Sequence, residues 1–426
     1  MAARSKARIA GIVPRTVSLS IDAIAAGGDG VARNDGLVVF VPRTAPGDVI
    51  TASVAGKGHF ARGTLRTVQR PSPDRTDPQC PHYTRENCGG CQIQHMQYAS
   101  QLLAKQRIIV DAMTRIGKRE IAPPEVVPST DEWRYRTKLT LAMRRRPAGW
   151  IAGLHPYDDP GRVFALADCP ITDRRVVSTW REILAASTFF PNESTLRGSV
   201  RWTADGATFV LIGATRWGAH SAFFEAVPTL AALYWQPEEA PRVLLGDRRI
   251  LPTPAASFAQ VNPTVANLVR GFVRDAVMSF KPENVIDAYS GAGDLAAELA
   301  VRGVTVTAIE LDPDAARWAE QRLPPPSRSI AGRVEQVVPR LAAADVVVLN
   351  PPRSGVHADV AQHLEDTHNA RAIVYVSCDP ATLARDVARL PGYDIQSVRA
   401  FDMFPQTAHV ETVCVLTLNE RATRSA

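Results

Sequence analysis

"NVIDAYSGAGDLAAELA" (residues 284–300) runs from a short apolar stretch, through a turn with two glycines, into Ala- and Leu-rich sequence of helical character. A short apolar run followed by glycines that open a helix marks a strand whose carboxyl end meets a ligand. Glycine lets the chain turn tightly there and lets the ligand approach the backbone. The rhythm recurs downstream, where "VTVTAIE" (304–310), "DVVVLN" (345–350) and "AIVYVS" (372–377) are apolar runs separated by helix-like stretches. Buried strands alternating with helices predict an α/β architecture over 251–426, a doubly wound parallel sheet of Rossmann-like type.

Upstream the pattern changes. From residue 14 to 70, "TVSLSI", "LVVFVP", "DVITASVA" and "GTLRTV" are β-like runs cut by Gly, Asp and Pro, which predicts a small OB-like β-barrel over 11–70. Net charge is +6, and residues 1–70 hold ten Lys/Arg against four Asp/Glu, which leaves the rest of the chain balanced. A basic module on a neutral body points to a polyanion, RNA or DNA, although a solubilising basic face accounts for the charge as well. "RPSPDRTDP" (70–78) is a linker, and 71–250 is expected to form a mixed α+β central domain. Within it, "YASQLLAKQRIIVDAMTRIG" (98–117) has helical periodicity. "WRYRTKLTLAMRRR" (133–146) places Arg134, Arg136 and Lys138 on one strand face, which fits an edge strand protected by charge or an RNA contact. No apolar run approaches the ~20 residues of a membrane span, and "MAARSKARIA" has no hydrophobic stretch behind it. A cytoplasmic protein without a membrane partner, acting as a monomer, is the expectation.

Several residues carry chemistry. Glu310 ends the strand after the glycine turn, where an acid commonly holds a pair of ribose hydroxyls. Ala296 could stand in for a third glycine of an NAD site, but without a pyrophosphate cradle S-adenosylmethionine (SAM) is the better fit. "NPPRSG" (350–355) ends another strand and brings Asn350 and Arg353 to the same edge. Cys378 ends the next one, and "FDMFPQTAHVET" adds His409 and Glu411. Of the six cysteines, Cys80, Cys88, Cys91 and Cys169 suit zinc or an iron–sulfur cluster, with His82 and His95 as substitute ligands. Cys414, in "TVCVLTL", reads as core.

Together "SFAQVN" (257–262), "DAYSGAGDL", "NPPRSG", "VSCDPATLARD" and "DMFPQTAHVE" resemble the RNA (uracil-5-)methyltransferase family, in the family's order. The N-terminal region is similar to the TRAM domain of several members. The resemblance implies Cys378 as nucleophile, Glu411 as base, Phe258 against the target ring and Arg353 supporting the active loop. It implies Gln260, Tyr289, Gly291, Asp294, Glu310 and Asn350 around SAM, and a 4Fe-4S cluster on Cys80, Cys88, Cys91 and Cys169. Members with both a TRAM domain and a cluster act mostly on 23S rRNA, others on tRNA. The start of the "DPATLARD" helix is expected to help ionise the thiol. The family usually has Asp where this chain has Asn350, which keeps a cytosine-5 methyltransferase as the runner-up. A catalytically inactive RNA-binding protein is the non-enzyme alternative. An adenine-N6 enzyme would want an aromatic residue at the position of Arg353.

Overall fold

Alternating apolar residues in the first region fold as the pattern dictates. In the computed structural model, which describes residues 15–57, 60–238, 240–250, 253–254 and 259–419, this region forms a six-stranded sheet. Its inward residues Leu19, Ile21, Ala32, Val39, Val41, Ile50, Ala52 and Ala61 make a small core of their own.

The central sheet has seven strands in the spatial order Phe164–Ala165, Gly149–Leu154, Lys138–Arg146, Thr195–Thr203, Gly206–Ile212, Leu230–Gln236 and Val243–Asp247. One face buries Leu139, Leu141, Met143, Leu196, Val200, Phe209 and Leu211. Helix Arg174–Ala185 covers that face, its first turn capped by the Asp173 carboxylate accepting from the Arg175 amide. Trp180 anchors the helix, edge-on to Phe209 at 5.6 Å and donating to the Leu139 carbonyl at 3.2 Å. Strand Lys138–Arg146 pairs on both sides, with Gly149–Leu154 and with Thr195–Thr203, so the expectation of a charge-protected edge strand is wrong. Nor do its three cations act alike: Arg134 lies ahead of the strand and is held by Asp168 at 2.7 Å, while Lys138 stands on the sheet face opposite the core.

The C-terminal sheet contains β1 (Asn284–Ala288), β2 (Thr305–Glu310), β3 (Arg328–Ala331), β4 (Val346–Leu349), β5 (Ala372–Ser377), β6 (Tyr393–Phe401) and β7 (Glu411–Leu418). The order is β3-β2-β1-β4-β5-β7-β6, with the short strand Val126–Val127 added beside β6. Strands β1 to β5 are parallel, and β7 runs antiparallel to both β5 and β6, so the sheet is mixed rather than wholly parallel. β4 and β5 are buried along their whole length, which is why they read as unbroken apolar runs. Residues 98–127 fall in the expected central domain, yet they pack with this sheet. Ile109, Ala112 and Met113 of helix Tyr98–Arg115 share a core with Leu383, Ala384 and Val387 of helix Pro380–Val387. Among the described residues no helix is long and apolar enough to cross a membrane.

Candidate functional site

The strand order reverses between β1 and β4, so their connections diverge and leave a crevice at the carboxyl edge. Tyr289 leaves β1 with φ +61°, and Gly291 and Gly293 follow at +57° and +75°. The two glycines do different jobs. A Cβ on Gly291 would meet nothing within 4 Å, so that turn opens to the crevice, whereas one on Gly293 would sit 2.5 Å from the Ala319 methyl. Glu310 fixes the turn: one carboxylate oxygen accepts the Gly291 amide and the other the Asp312 amide, each at 2.8 Å. Each oxygen keeps a further acceptor site. The Asp294 carboxylate is drawn outward into a 2.8 Å pair with Arg322. Tyr289 is half-buried, its phenol pushed up to about 12 chiefly by burial. Asn350 is exposed at the end of β4, its amide donating to the Ala288 carbonyl at 3.2 Å. Gln260 is half-buried beside Val261, whose carbonyl accepts the Thr137 amide, and Phe258 lies outside the described residues.

The thiol and the acid meet by register. Ser377 of β5 pairs with Thr412 of β7, so the next residues outward, Cys378 and Glu411, face one another at the strand ends. Cys378 is half-buried, and its thiol is pushed up by burial and by the Glu411 charge, with the Arg353 guanidinium in hydrogen-bond reach pulling it down. The expected help from the helix start is opposed by a carboxylate. Asp379 caps helix Pro380–Val387 by accepting from the Thr382 amide, and its own charge opposes the thiolate. Glu411 is 2% exposed, and burial pushes its carboxyl up to about 7 against the pull of Arg353. Its Oε2 finds no hydrogen-bond partner among the described residues, an arrangement costly in a folded interior unless something binds there. Arg353 sits on the 350–355 loop, which is tied down where Thr382 Oγ1 donates to its carbonyl at 3.1 Å. His409 is held neutral, its ring pushed down to about 4 by burial and by Arg353.

The loop between β6 and β7 is held from outside its own sheet, by residues absent from the expected site. Lys105, fully buried, pairs with Asp402 and donates to the Phe404 carbonyl at 3.1 Å. Gln101 exchanges two 3.0 Å bonds with Gln406, and Tyr135 donates to the Pro405 carbonyl at 3.1 Å. The Ile93 amide, two residues beyond Cys91, donates to the Gln406 carbonyl at 3.2 Å. Asp287 was also missed. It is buried at 2%, accepts from the Ala296 amide, and is pushed up to about 7 by burial and by Glu310. A carboxylate inside the apolar run "NVIDAY" was the available signal.

Cys80, Cys88, Cys91 and Cys169 are buried and line one cavity, together with His82, Tyr83 and Gln94. Burial pushes all four thiols up, Cys88 to about 11, and the charges of neighbouring thiols add to the rise at Cys88, Cys91 and Cys169. Among the described residues no three Cys, His, Asp or Glu side chains stand as ligands around a single ion. His95 is outside the cavity lining and bonds the Tyr83 hydroxyl at 2.6 Å, while His82 bonds Glu86 at 2.9 Å. Cys414 is fully buried core.

A parallel half in the order β3-β2-β1-β4-β5, closed by an antiparallel pair and carrying an acid-anchored glycine turn at the switch point, is the class I SAM-dependent methyltransferase fold. The tRNA (uracil-54, C5)-methyltransferase of Pyrococcus abyssi, solved with S-adenosyl-L-homocysteine, shares it, with a TM-score of 0.68 at 24% identity over 94% of this chain and all of that one. Residues 331–419 match the tRNA (Uracil-5-)-methyltransferase family. An uncharacterized RNA methyltransferase of Halalkalibacterium halodurans is 31% identical over 94% of this chain and 97% of its own. One from Gloeobacter violaceus is 33% identical over 95% and 96%. The chain belongs to the RNA (uracil-5-)methyltransferase family.

Proposed function

We propose that the protein methylates carbon 5 of uridine in RNA, with SAM as donor, and that 23S rRNA is its substrate. The observation that carries the reading is the buried Glu411 carboxyl, its Oε2 without a partner among the described residues, facing Cys378 at the ligand edge of the sheet. Carbon 5 of uracil is a weak nucleophile. The Cys378 sulfur adds to carbon 6, and the ring π electrons move to the carbon 4 oxygen, which makes carbon 5 electron-rich. Arg353 stabilises the thiolate before attack. SAM, when bound, supplies the methyl group to that carbon. Glu411 then removes the carbon 5 proton, the C–S bond breaks and the ring double bond re-forms. Once sulfur is bonded to carbon it carries no charge, so the neighbouring carboxylate ionises more readily at the step that needs it.

Gly291, Tyr289, Gln260, Glu310 and Asn350 would line the SAM site, Glu310 through its remaining acceptor positions and the open turn at Gly291 by admitting the ligand to the backbone. Asp294, already paired with Arg322, would contribute through its backbone position. Phe258 would stack on the target base. Cys80, Cys88, Cys91 and Cys169 would hold a 4Fe-4S cluster, a reading supported by four buried thiols that line one cavity. Residues 11–70 would be a TRAM-like RNA-binding barrel, 71–250 apart from 98–127 the cluster domain, and 251–426 together with 98–127 the catalytic domain of a cytoplasmic monomer. The names of the matching family and of the P. abyssi enzyme favour tRNA as the second reading. Incubating the protein with labelled SAM and total RNA, then identifying the modified nucleoside and its position, decides both. Label in 5-methyluridine of 23S rRNA is expected; label in 5-methylcytidine, or none, contradicts the proposal.

A further inference from the structure

Three neighbouring strands of the N-terminal sheet bury one face and leave the other to water. In strands Gly30–Asn34, Leu37–Val41 and Phe60–Arg70 the inward residues Ala32, Val39, Val41 and Ala61 belong to the small core. Cross-strand pairing fixes which residues share the outward face: Val31 stands opposite Phe40, Arg33 opposite Val38, Val38 opposite Phe60 and Phe40 opposite Arg62. The Phe40 and Phe60 rings meet edge to face with their centroids 6.2 Å apart, and Phe60 is 56% exposed. A single exposed apolar side chain is ordinary, whereas a contiguous set with a polar rim marks a contact surface. Arg33 and Arg62 supply that rim, both exposed, and the three strands contain no Asp or Glu. One carboxylate approaches from the turn ahead of them. Asp29 lies 3.4 Å from Arg62, whose side chain stays 76% exposed, so the pair holds the guanidinium only weakly.

We propose that this face is a stacking platform for an unpaired base of the bound RNA, a nucleotide near the target, seated on Phe60 and Phe40 with Arg62 and Arg33 along its phosphates. The inference rests on the RNA-methyltransferase reading and deepens it, because it assigns the N-terminal region a base contact that charge alone does not give. The chemistry fits: every base has a π-face that an aromatic ring can cover, and flanking cations follow the backbone. The position fits as well. The turn that leads into strand Gly30–Asn34 abuts the loop between β6 and β7. A Cβ on Gly28, at φ +88°, would sit 2.3 Å from the Gln92 Cβ and 3.4 Å from the Ala408 methyl. Ile24 and Ala45 share a core with that same Ala408, which lies just ahead of His409 and Glu411. Asp29, next after Gly28, is the residue that reaches Arg62. The aromatic face is therefore fixed one turn away from the loop that carries the base. A uridine drawn out to Cys378 leaves its neighbours without a stacking partner, and the exposed ring pair offers one.

The test measures binding of a 30-nucleotide unstructured, uridine-rich RNA to the full-length protein and its variants between 50 and 300 mM salt. Phe60→Ala should lower affinity by ~10-fold, with the log–log salt slope and the Kd for SAM unchanged. Phe60→Leu, which keeps an apolar side chain but no ring, should lose nearly as much, and Phe60→Trp should bind at least as well as wild type. Arg62→Gln should instead make the slope smaller by about 1. Affinity unchanged in Phe60→Ala, or kept in Phe60→Leu, overturns the proposal while leaving the methyltransferase reading intact; a wild-type protein that binds no RNA sinks both. A second measurement needs no variant. The same RNA with 5-iodouridine at every uridine, irradiated in the complex, should cross-link to the peptide that contains Phe60. A cross-link map without that peptide overturns the assignment. Unchanged RNA affinity together with weaker binding of Phe60→Ala to ribosomal proteins marks a protein-docking face, which overturns it too.

Discussion

Cys378 and the four cysteines of the central region share one functional group and differ in nearly everything around it. Cys378 stands half-exposed at an open sheet edge, with a guanidinium on one side and a buried carboxyl on the other. Cys80, Cys88, Cys91 and Cys169 are enclosed, and ionising one makes it harder to ionise others. A cation beside that group, Arg43 of the N-terminal sheet region, stacks 3.3 Å from the centre of the Tyr83 ring and donates to the Cys88 carbonyl at 2.7 Å. The difference teaches what each environment is for. A thiol that faces substrate needs a partner to ionise it on demand and room for the incoming ring. Thiols that face one another in a dry cavity stay protonated, and only a positive centre between them would let them ionise together.

The sharpest way to break this contrast is to remove one thiol from each group. Cys378→Ala should lower methyl transfer by at least ~10⁴-fold, with a melting temperature close to wild type. Cys91→Ala should instead lower the melting temperature and abolish bound iron, with residual turnover tracking the folded fraction. If both variants fail in the same way, the distinction is wrong. Glu411→Gln should stop turnover after the methyl has been transferred, so a denaturation-resistant protein–RNA adduct accumulates on ordinary uridine RNA. In the wild-type protein kcat/KM should keep rising with pH beyond neutrality, because the Cys378 thiol, held above the ordinary thiol value of ~8.5, must ionise before it can attack.

Smaller effects probe the supports of the catalytic side. Lys105→Met leaves Asp402 buried without its cation and should cost about 3–5 kcal/mol in denaturant unfolding. A Lys105→Met/Asp402→Leu double variant should recover much of that loss. Asp287→Asn should stabilise the protein by roughly 2–4 kcal/mol at pH 8 and by little at pH 4. The sign follows from a folded-state pKa of about 7 against 3.8 in the unfolded chain. The folded protein holds that proton more tightly, so the stability it confers is complete below pH 3.8 and is lost as pH rises through 7. Equal effects at both pH values would show that Asp287 is not the group that titrates.

The doubly wound half was legible because strands buried on both faces have no choice but to be apolar, and because Gly291 and Glu310 must fall where the strand order reverses. Cys378 and Glu411 were legible through their motifs, but only the antiparallel pairing of β5 with β7 shows why they meet. Lys105 was hidden because a lysine on an amphipathic helix looks solvated, and its partner lies 297 residues away. The basic strand was misplaced for a related reason: a strand's own residues do not say whether one neighbour or two will pair with it. The helix start beside Cys378 was legible, and the structure adds that the charge of its Asp379 cap opposes the thiolate.

The proposed chemistry requires a bond between the Cys378 sulfur and the pyrimidine. RNA carrying 5-fluorouridine, incubated with the protein and SAM, tests it directly, because fluorine cannot leave as a cation and Glu411 then has no proton to take. One methylated, denaturation-stable adduct per chain, mapped by mass spectrometry to the peptide of Cys378, is the predicted result. The same adduct on the Cys378→Ala variant, or a wild-type protein that methylates uridine yet never traps the fluorinated base, would contradict it.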